Sequence, residues 1–316
     1  MFDVVGVGAL VLLAALFGWL ALRSRRATHA IVKWGGLGLS GLLAAIGSAA
    51  VIVALVGFYK LNHQPYPVSD LKVSGTPEQL ARGTKFIAFC AACHGPEGKP
   101  PLAGVAFSKG GPPIGTMYAP TLTPAGEING WSDGEIIRAI RGGLHRSGRP
   151  LLVMPSEFLR NLSDADVQAI VVALRAQPAT GTVSPPTRLN TLGALFIGAG
   201  MFPTSAQQPI TAPVVAPAED TSAAYGQYLV SILGCRLCHG EHLTGGTGGK
   251  MGPPQGPDLT HLVSRWSAAE FANTLRTGVD PAQHTLAEGM PWKMISAFAS
   301  DDDLKAIHAY LHGLKP

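Results

Sequence analysis

Two pentads, "CAACH" at 90–94 and "CRLCH" at 235–239, contain all four cysteines of this 316-residue chain. An ordinary disulfide framework is therefore excluded, and any fold must present each pentad as a local unit. Three chemistries use the Cys-x-x-Cys spacing. A thioredoxin-like redox pair requires a neighbouring βαβ pattern, whereas the flanks here are glycine-proline loops. A structural zinc site requires four ligands, usually two such pairs packed together. Here the pairs lie 145 residues apart, each followed by its own histidine. The third chemistry, covalent haem attachment, has Cys-x-x-Cys-His as its expected arrangement. On a helical turn residues i and i+3 share a face, so two thiols can bond the two vinyl-derived carbons of one haem edge. The histidine that follows is then held beneath the iron. Two covalently bound haem c groups are expected, attached through Cys90 and Cys93 and through Cys235 and Cys238, with His94 and His239 as proximal iron ligands.

Each pentad opens a matching series of landmarks. "KGGPPIG" (109–115) answers "KMGPPQG" (250–256), and "APTLT" (119–123) answers "GPDLT" (256–260). "WSDGEIIRAIRGG" (131–143) pairs with "WSAAEFANTLRTG" (266–278), and "LSDADVQAIVVALRA" (162–176) with "ASDDDLKAIHAYLHG" (299–313). This is an internal repeat of roughly 100 residues. Ser132 with Glu135 and Ser267 with Glu270 have the capping-box spacing, and Ser163 and Ser300 are candidate N-caps of a last helix. Apolar positions recur at helical spacing in that helix: Val167, Ile170, Val171 and Leu174, then Leu304, Ile307, Tyr310 and Leu311. No strand pattern competes. The expected organisation is a domain over 72–180, a proline-rich linker over 181–217 and a second domain over 218–316. Within the linker, "LGALFIGAGMF" (192–202) is too short to span a bilayer and is expected to pack on the protein itself.

The sixth ligand decides what a haem does. Met154 and Met290 occupy the same place in each repeat, 23 and 24 residues after Trp131 and Trp266, and each precedes proline. Methionine is a soft ligand, and His/Met coordination raises the potential; both are expected to ligate iron. Met294, Met251 and Met117 are competitors. Trp131 and Trp266 can donate an indole N–H to a haem propionate, with buried packing as the other role open to them. Arg138, Arg141 and Arg276 are weaker propionate candidates. His145, His242, His261, His284, His308 and His312 lack counterparts in the other repeat and are expected to be surface or structural residues.

The N-terminal end is different in kind. Residues 4–22 are nineteen uncharged, mostly apolar residues, and a second run covers about 35–59. Each is long enough to cross roughly 30 Å of hydrocarbon as a helix. A cleaved signal peptide would carry its basic residues ahead of the apolar stretch; here the cluster Arg23, Arg25, Arg26 and Lys33 follows it. Two retained transmembrane helices in a 1–60 anchor are expected. The positive-inside tendency places their connecting loop in the cytoplasm and everything after about residue 60 outside it. Covalent haem attachment also takes place outside the cytoplasm. The small residues Gly36, Ser40, Ala44 and Ser48 form a stripe that lets another helix approach closely.

The formal charge of +4 carries little information about partners, because from residue 59 onward 20 basic side chains face 19 acidic ones. No basic stripe with interleaved aromatics is present, so nucleic-acid binding has no support. The first repeat carries 11 basic and 8 acidic side chains and the second 7 and 10, a difference that can steer different partners.

With "CAACHG", "YAPTLTPAGEINGWSDGEIIRAIRGGLHRSGRPLLVMP", "LSDADVQAIVVAL" and "CRLCHG" in place, the chain resembles the class I cytochrome c family. Within it, the chain is similar to the dihaem and trihaem cytochrome c subunits of membrane-bound bacterial dehydrogenases for alcohols or gluconate. The resemblance implies an all-α fold, two tandem class I cytochrome c domains preceded by two transmembrane helices, and electron transfer. It also implies the inner membrane as location, with the haem domains on the periplasmic side. Integral-membrane, dehydrogenase or oxidase subunits are the expected partners, with donor and acceptor proteins in a respiratory or photosynthetic chain. The rival readings are a dihaem peroxidase-like enzyme and a haem-based sensor. Either needs an iron with an open position, against which the matched methionines argue.

Overall fold

The computed structural model describes residues 4–62, 66–107, 113–246 and 255–314. The repeat landmarks at 109–112 and 250–254, including the competitor Met251, lie outside the described residues. Two helices begin the chain, α1 (Val4–Ser24) and α2 (Ala30–Lys60). At 1.5 Å per residue they are about 31 Å and about 46 Å long. They form an antiparallel hairpin in which Gly36 lies against Ser24 and Gly47 against Ala14. The small-residue stripe is thus used, at its Gly36 end, by the chain's own first helix. Outward-facing side chains such as Leu12 and Ile52 are exposed, as suits a surface solvated by lipid.

Because α2 exceeds the hydrocarbon thickness by several turns, its last turns are available for protein contacts. There it crosses α7 (Thr191–Gly198), the helix inside the linker. The crossing is glycine-mediated from both sides. A Cβ on Gly57 would stand 1.9 Å from the Ala194 carbonyl, and one on Gly198 would stand 1.9 Å from that of Val53. Lys60 Nζ donates to the carbonyl oxygens of Ile197 and Gly198 at 3.3 and 3.5 Å, satisfying the end of α7. A small cluster of Ile114, Met117, Leu189 and Ile197 then fastens the linker to the first domain.

The first domain comprises α3 (Pro77–His94), α4 (Asp133–Gly142), α5 (Ser156–Leu159) and α6 (Asp164–Arg175). Four two-residue strands supplement them. β1 (Val105–Ala106) pairs with β3 (Tyr118–Ala119), and β2 (Gly115–Thr116) pairs with β4 (Arg188–Leu189) of the linker, both antiparallel. The second domain comprises α8 (Ala223–Ile232), α9 (Cys235–His239), α10 (Leu259–Val263), α11 (Ala268–Thr277), α12 (Trp292–Phe298) and α13 (Asp301–His312).

The predicted caps are formed. The side chains of Ser132, Ser163, Ser267 and Ser300 each accept a backbone N–H three residues on. Each domain is built on one close helix crossing. α3 meets α6 where a Cβ on Gly83 would stand 1.9 Å from the Ala169 carbonyl. α8 meets α13 where one on Gly226 would stand 1.9 Å from that of Ala306. The two repeats depart from one another at the pentads. The first ends the continuous helix α3, whereas the second stands on its own short helix after Gly234 in the left-handed region (φ 71°). One buried cluster runs through both domains without a break, from Phe86 and Leu174 to Leu229 and Leu311.

Candidate functional site

The two pentad histidines are held identically. His94 Nδ1 lies 2.8 Å from the Pro120 carbonyl oxygen, and His239 Nδ1 lies 2.8 Å from that of Pro257. A carbonyl only accepts, so each Nδ1 carries the proton and each Nε2 keeps its lone pair, which is the ligating form of imidazole. Both rings are buried, and burial pulls both pKa values down despite the opposing bond to the carbonyl. The repeat landmarks "APTLT" and "GPDLT" act here, since each supplies the accepting proline carbonyl; that role was not evident from the sequence alone. Glycine keeps the second ring's surroundings clear. A Cβ on Gly256 would stand 2.6 Å from His239 Nδ1.

The methionine segments also match. Gly143 and Gly278 end α4 and α11 in the left-handed conformation (φ 65° and 74°). Leu151 N–H then donates to the Gly143 carbonyl at 2.7 Å, and Leu286 N–H to that of Gly278 at 2.8 Å. Met154 and Met290 follow, each with its carbonyl accepting the N–H two residues on at 2.8 Å. The same backbone turn therefore carries both methionines. Met294 lies within α12, one turn beyond Met290, and packs against the shared core.

In the first domain these parts enclose a cavity of about 400 Å³ lined by Cys93, His94, Met154, Trp131, Met117 and Arg149, among others. That is the scale of a cofactor pocket. Trp131 is buried, and its indole Nε1 has no hydrogen-bond partner among the described residues. A buried donor left unpaired is costly, so an anionic group entering the cavity would satisfy it. Arg149, a residue the sequence reading passed over, lines the same wall, and burial lowers its pKa. His145 also belongs to the wall. Its ring stands edge-on to Trp131 at 4.9 Å, and its Nε2 lies 2.7 Å from Glu127 Oε1, which holds the Glu127 carboxyl below its ordinary pKa. His145, expected as a surface or structural residue, thus stands in the cavity wall beside Trp131.

The arginine candidates resolve differently. Arg138 is buried and donates to the carbonyl oxygens of Tyr66, His145 and Arg146. Arg141 binds Asp164 and the Leu162 carbonyl, and Arg276 binds Asp301 and the Ala299 carbonyl at the equivalent place in the second domain. Arg141 and Arg276 tie helices together, and Arg138 ties α4 to the non-helical segments at Tyr66 and His145–Arg146. Trp266 is half-buried, with its carbonyl bonded to His308 Nε2 at 2.8 Å. The attachment cysteines sit at the domain edges. Cys93 is exposed and Cys90, Cys235 and Cys238 are half-buried; burial pushes the Cys90 thiol up to about 12 and that of Cys235 to about 11.

Comparison with known proteins agrees with this geometry. Residues 80–174 match the family described as cytochrome c, and residues 221–311 the family described as cytochrome c oxidase, cbb3-type, subunit III. The chain is 31% identical over 274 residues to one of the subunits of the nicotinate dehydrogenase of Pseudomonas putida, a match that covers 77% of this chain and 22% of that protein. It is 28% identical over 261 residues to the cytochrome c subunit of the quinone alcohol dehydrogenase of Gluconacetobacter polyoxogenes, covering 72% and 53%. A shorter match, 33% over 98 residues, links it to the fructose dehydrogenase cytochrome subunit of Gluconobacter japonicus, covering 29% and 20%. The chain therefore spans about half, or less, of the length of these relatives. Matched in both halves, and with two histidines held alike, the chain carries two domains of the cytochrome c family and with them covalently bound haem c.

Proposed function

We propose that the chain is a membrane-anchored dihaem electron carrier whose haem domains lie outside the cytoplasm. The observation that carries this reading is the twofold recurrence of one ligand arrangement. In both halves a buried histidine bonds a proline carbonyl through Nδ1, and the same turn delivers Met154 or Met290. Bound at such a site, a haem supplies reversible one-electron chemistry between ferrous and ferric iron.

The residues divide the work. Cys90 with Cys93 and Cys235 with Cys238 would tether the two groups. His94 and His239 would hold the iron through neutral Nε2, with the proline carbonyls fixing each ring and raising its basicity. Met154 and Met290 would hold it through a soft sulfur, a ligand that favours the reduced state. In the first domain the Trp131 N–H and the Arg149 guanidinium offer donors for a propionate, and the apolar wall keeps water from the site.

The basic cluster between α1 and α2 supports a cytoplasmic hairpin loop and an extracytoplasmic position for both domains. The relatives are named as dehydrogenase subunits, so a dehydrogenase is the partner class from which electrons would arrive. A soluble or membrane-bound carrier would receive them.

The test is carbon monoxide binding to the reduced, detergent-solubilised protein, together with haem retention after acidic solvent extraction. Two haems that resist extraction and do not bind carbon monoxide are the expected result. Stoichiometric binding at one iron would instead establish the peroxidase-like or sensor reading, and loss of pigment on extraction would overturn covalent attachment.

A further inference from the structure

The two domains touch through an aromatic cluster that lies between the first cysteines of the two pentads. Phe89 immediately precedes Cys90, and Phe86 lies one helical turn before it on the same face. Phe298, on α12 of the second domain, packs against both, with ring centroids 5.2 Å from Phe86 and 6.1 Å from Phe89. Phe158, on α5 of the first domain, stands edge-on to Phe89 at 6.5 Å. Its other side rests on the backbone of Gly234, the residue before Cys235; a Cβ there would come 2.7 Å from the ring. The contact is reciprocal. In each domain the helix that follows the methionine places a phenylalanine against the cysteine-bearing segment of the other. All these rings belong to, or pack on, the continuous buried cluster.

We infer that Phe89, Phe158 and Phe298 form a close-packed bridge between the Cys90 and Cys235 edges of the two haem sites, and that this bridge sets the rate of electron exchange between them. The inference rests on the dihaem reading above. In the exchange one ferrous centre loses an electron to the other, ferric, centre; no bond forms or breaks and no proton moves. Tunnelling decays more steeply across voids or water than across packed atoms, and protein interiors are packed like organic crystals. The rings contact one another in series from Phe298 through Phe89 to Phe158, and Gly234 is required because any side chain there would push Phe158 away.

The experiment uses the full chain in detergent. Haem content is measured first: two covalent haems per chain in every variant keep the underlying reading intact, and fewer than two overturn that reading by itself. NMR of the half-reduced protein then reports intramolecular exchange, recognised by its independence of protein concentration. The parent is expected to give averaged haem-methyl resonances. Phe158→Ala and Phe298→Ala are expected to lose that averaging and show separate resonances for each oxidation state, with both reduction potentials unchanged. Phe158→Leu and Phe298→Leu provide milder vacancies should the alanine variants fail to fold, and Phe158→Tyr is expected to restore averaging. Averaging retained in the alanine or leucine variants, or lost equally in Phe158→Tyr, would overturn the bridge.

Discussion

A tyrosine hydroxyl inserted into another domain's helix cap provides the sharpest test of how the two halves are joined. In the second domain both backbone bonds of the α13 cap are made by its own residues: Ser300 Oγ accepts from Asp303 N–H at 3.1 Å, and Ser300 N–H donates to Asp303 Oδ2 at 2.6 Å. In the first domain Ser163 Oγ likewise accepts from Asp166 N–H at 3.0 Å, but Ser163 N–H donates to the hydroxyl oxygen of Tyr228, 2.9 Å away. That hydroxyl in turn donates to Asp166 Oδ2. Ser163, Asp166 and Tyr228 are all buried, and burial followed by the Asp166 charge raises the Tyr228 pKa. Tyr228→Phe removes a hydrogen bond to a charged group, worth about 1.5–3 kcal/mol, and orphans a buried N–H at a cost of about 1–3 kcal/mol. Asp166 can recover part of this by turning to accept from Ser163, as Asp303 does in the sister cap. A net loss of about 2–4 kcal/mol is expected. The assay is guanidinium unfolding of the full chain, followed by far-UV circular dichroism, with the midpoint falling and the slope unchanged. A cycle with Asp166→Asn should show coupling of at least about 1 kcal/mol. Additivity within about 0.5 kcal/mol would refute the reasoning.

Four further outcomes are expected. Gly57→Val should separate α2 from α7 at an overpacking cost of about 1–3 kcal/mol, read as lost hydrogen-exchange protection over residues 191–198; retained protection would contradict the crossing. Glu127→Gln should destabilise the protein at neutral pH. The native carboxyl has a depressed pKa through its bond to His145, so its contribution is present above about 4.3 and is lost as pH falls through the lower native value. The unfolding midpoints of variant and parent should therefore converge in acid. Met154→Ala and Met290→Ala should each let one ferrous iron bind carbon monoxide and lower one reduction potential, as measured by titration against the parent. A Thr28→Cys variant should react with a membrane-impermeant maleimide only after the cytoplasmic side is opened; labelling of intact cells would invert the topology.

What could be read from the chain depended on whether the signal was local. The pentads, capping boxes and apolar helix periods lie within a few residues of one another, and each appears in the structure at its expected place. The repeat carried more than that. Equivalent positions led to Met154 and Met290 without a consensus for a sixth ligand, and the structure gives both the same turn. Contacts between distant segments were not legible. Arg138, Arg141 and Arg276 have the charge for a propionate, yet Arg138 donates to the Tyr66 carbonyl 72 residues away, and Arg141 and Arg276 to carboxylates 23 and 25 residues on. His145 has no counterpart in the second repeat, yet it lines the cavity of the first domain. Arg149 had no pattern around it, only a place in the cavity wall. The linker offered an apolar stretch without the partner that α2 provides.

The pairing of the domains follows from the repeat once the helices are superposed in sequence. Gly83 and Gly226 cross equivalent alanines, so Lys85 and Tyr228 occupy the same helical position in the two domains. Each reaches across to the third residue of the other domain's last helix, Lys85 to Asp303 at 2.7 Å and Tyr228 to Asp166. The interface therefore has the self-complementary character of a twofold dimer, in which one patch serves both sides, although the two partners belong to one chain. Divergence has altered the chemistry of each contact while keeping its geometry, with an ammonium in one copy and a phenol in the other. Asymmetry enters elsewhere: among the described residues, α7 and the end of α2 pack on the first domain, and the linker strand β4 pairs with β2 of that domain. One domain is thereby fixed beside the membrane, and the second is fixed to the first through the reciprocal contacts and the continuous core.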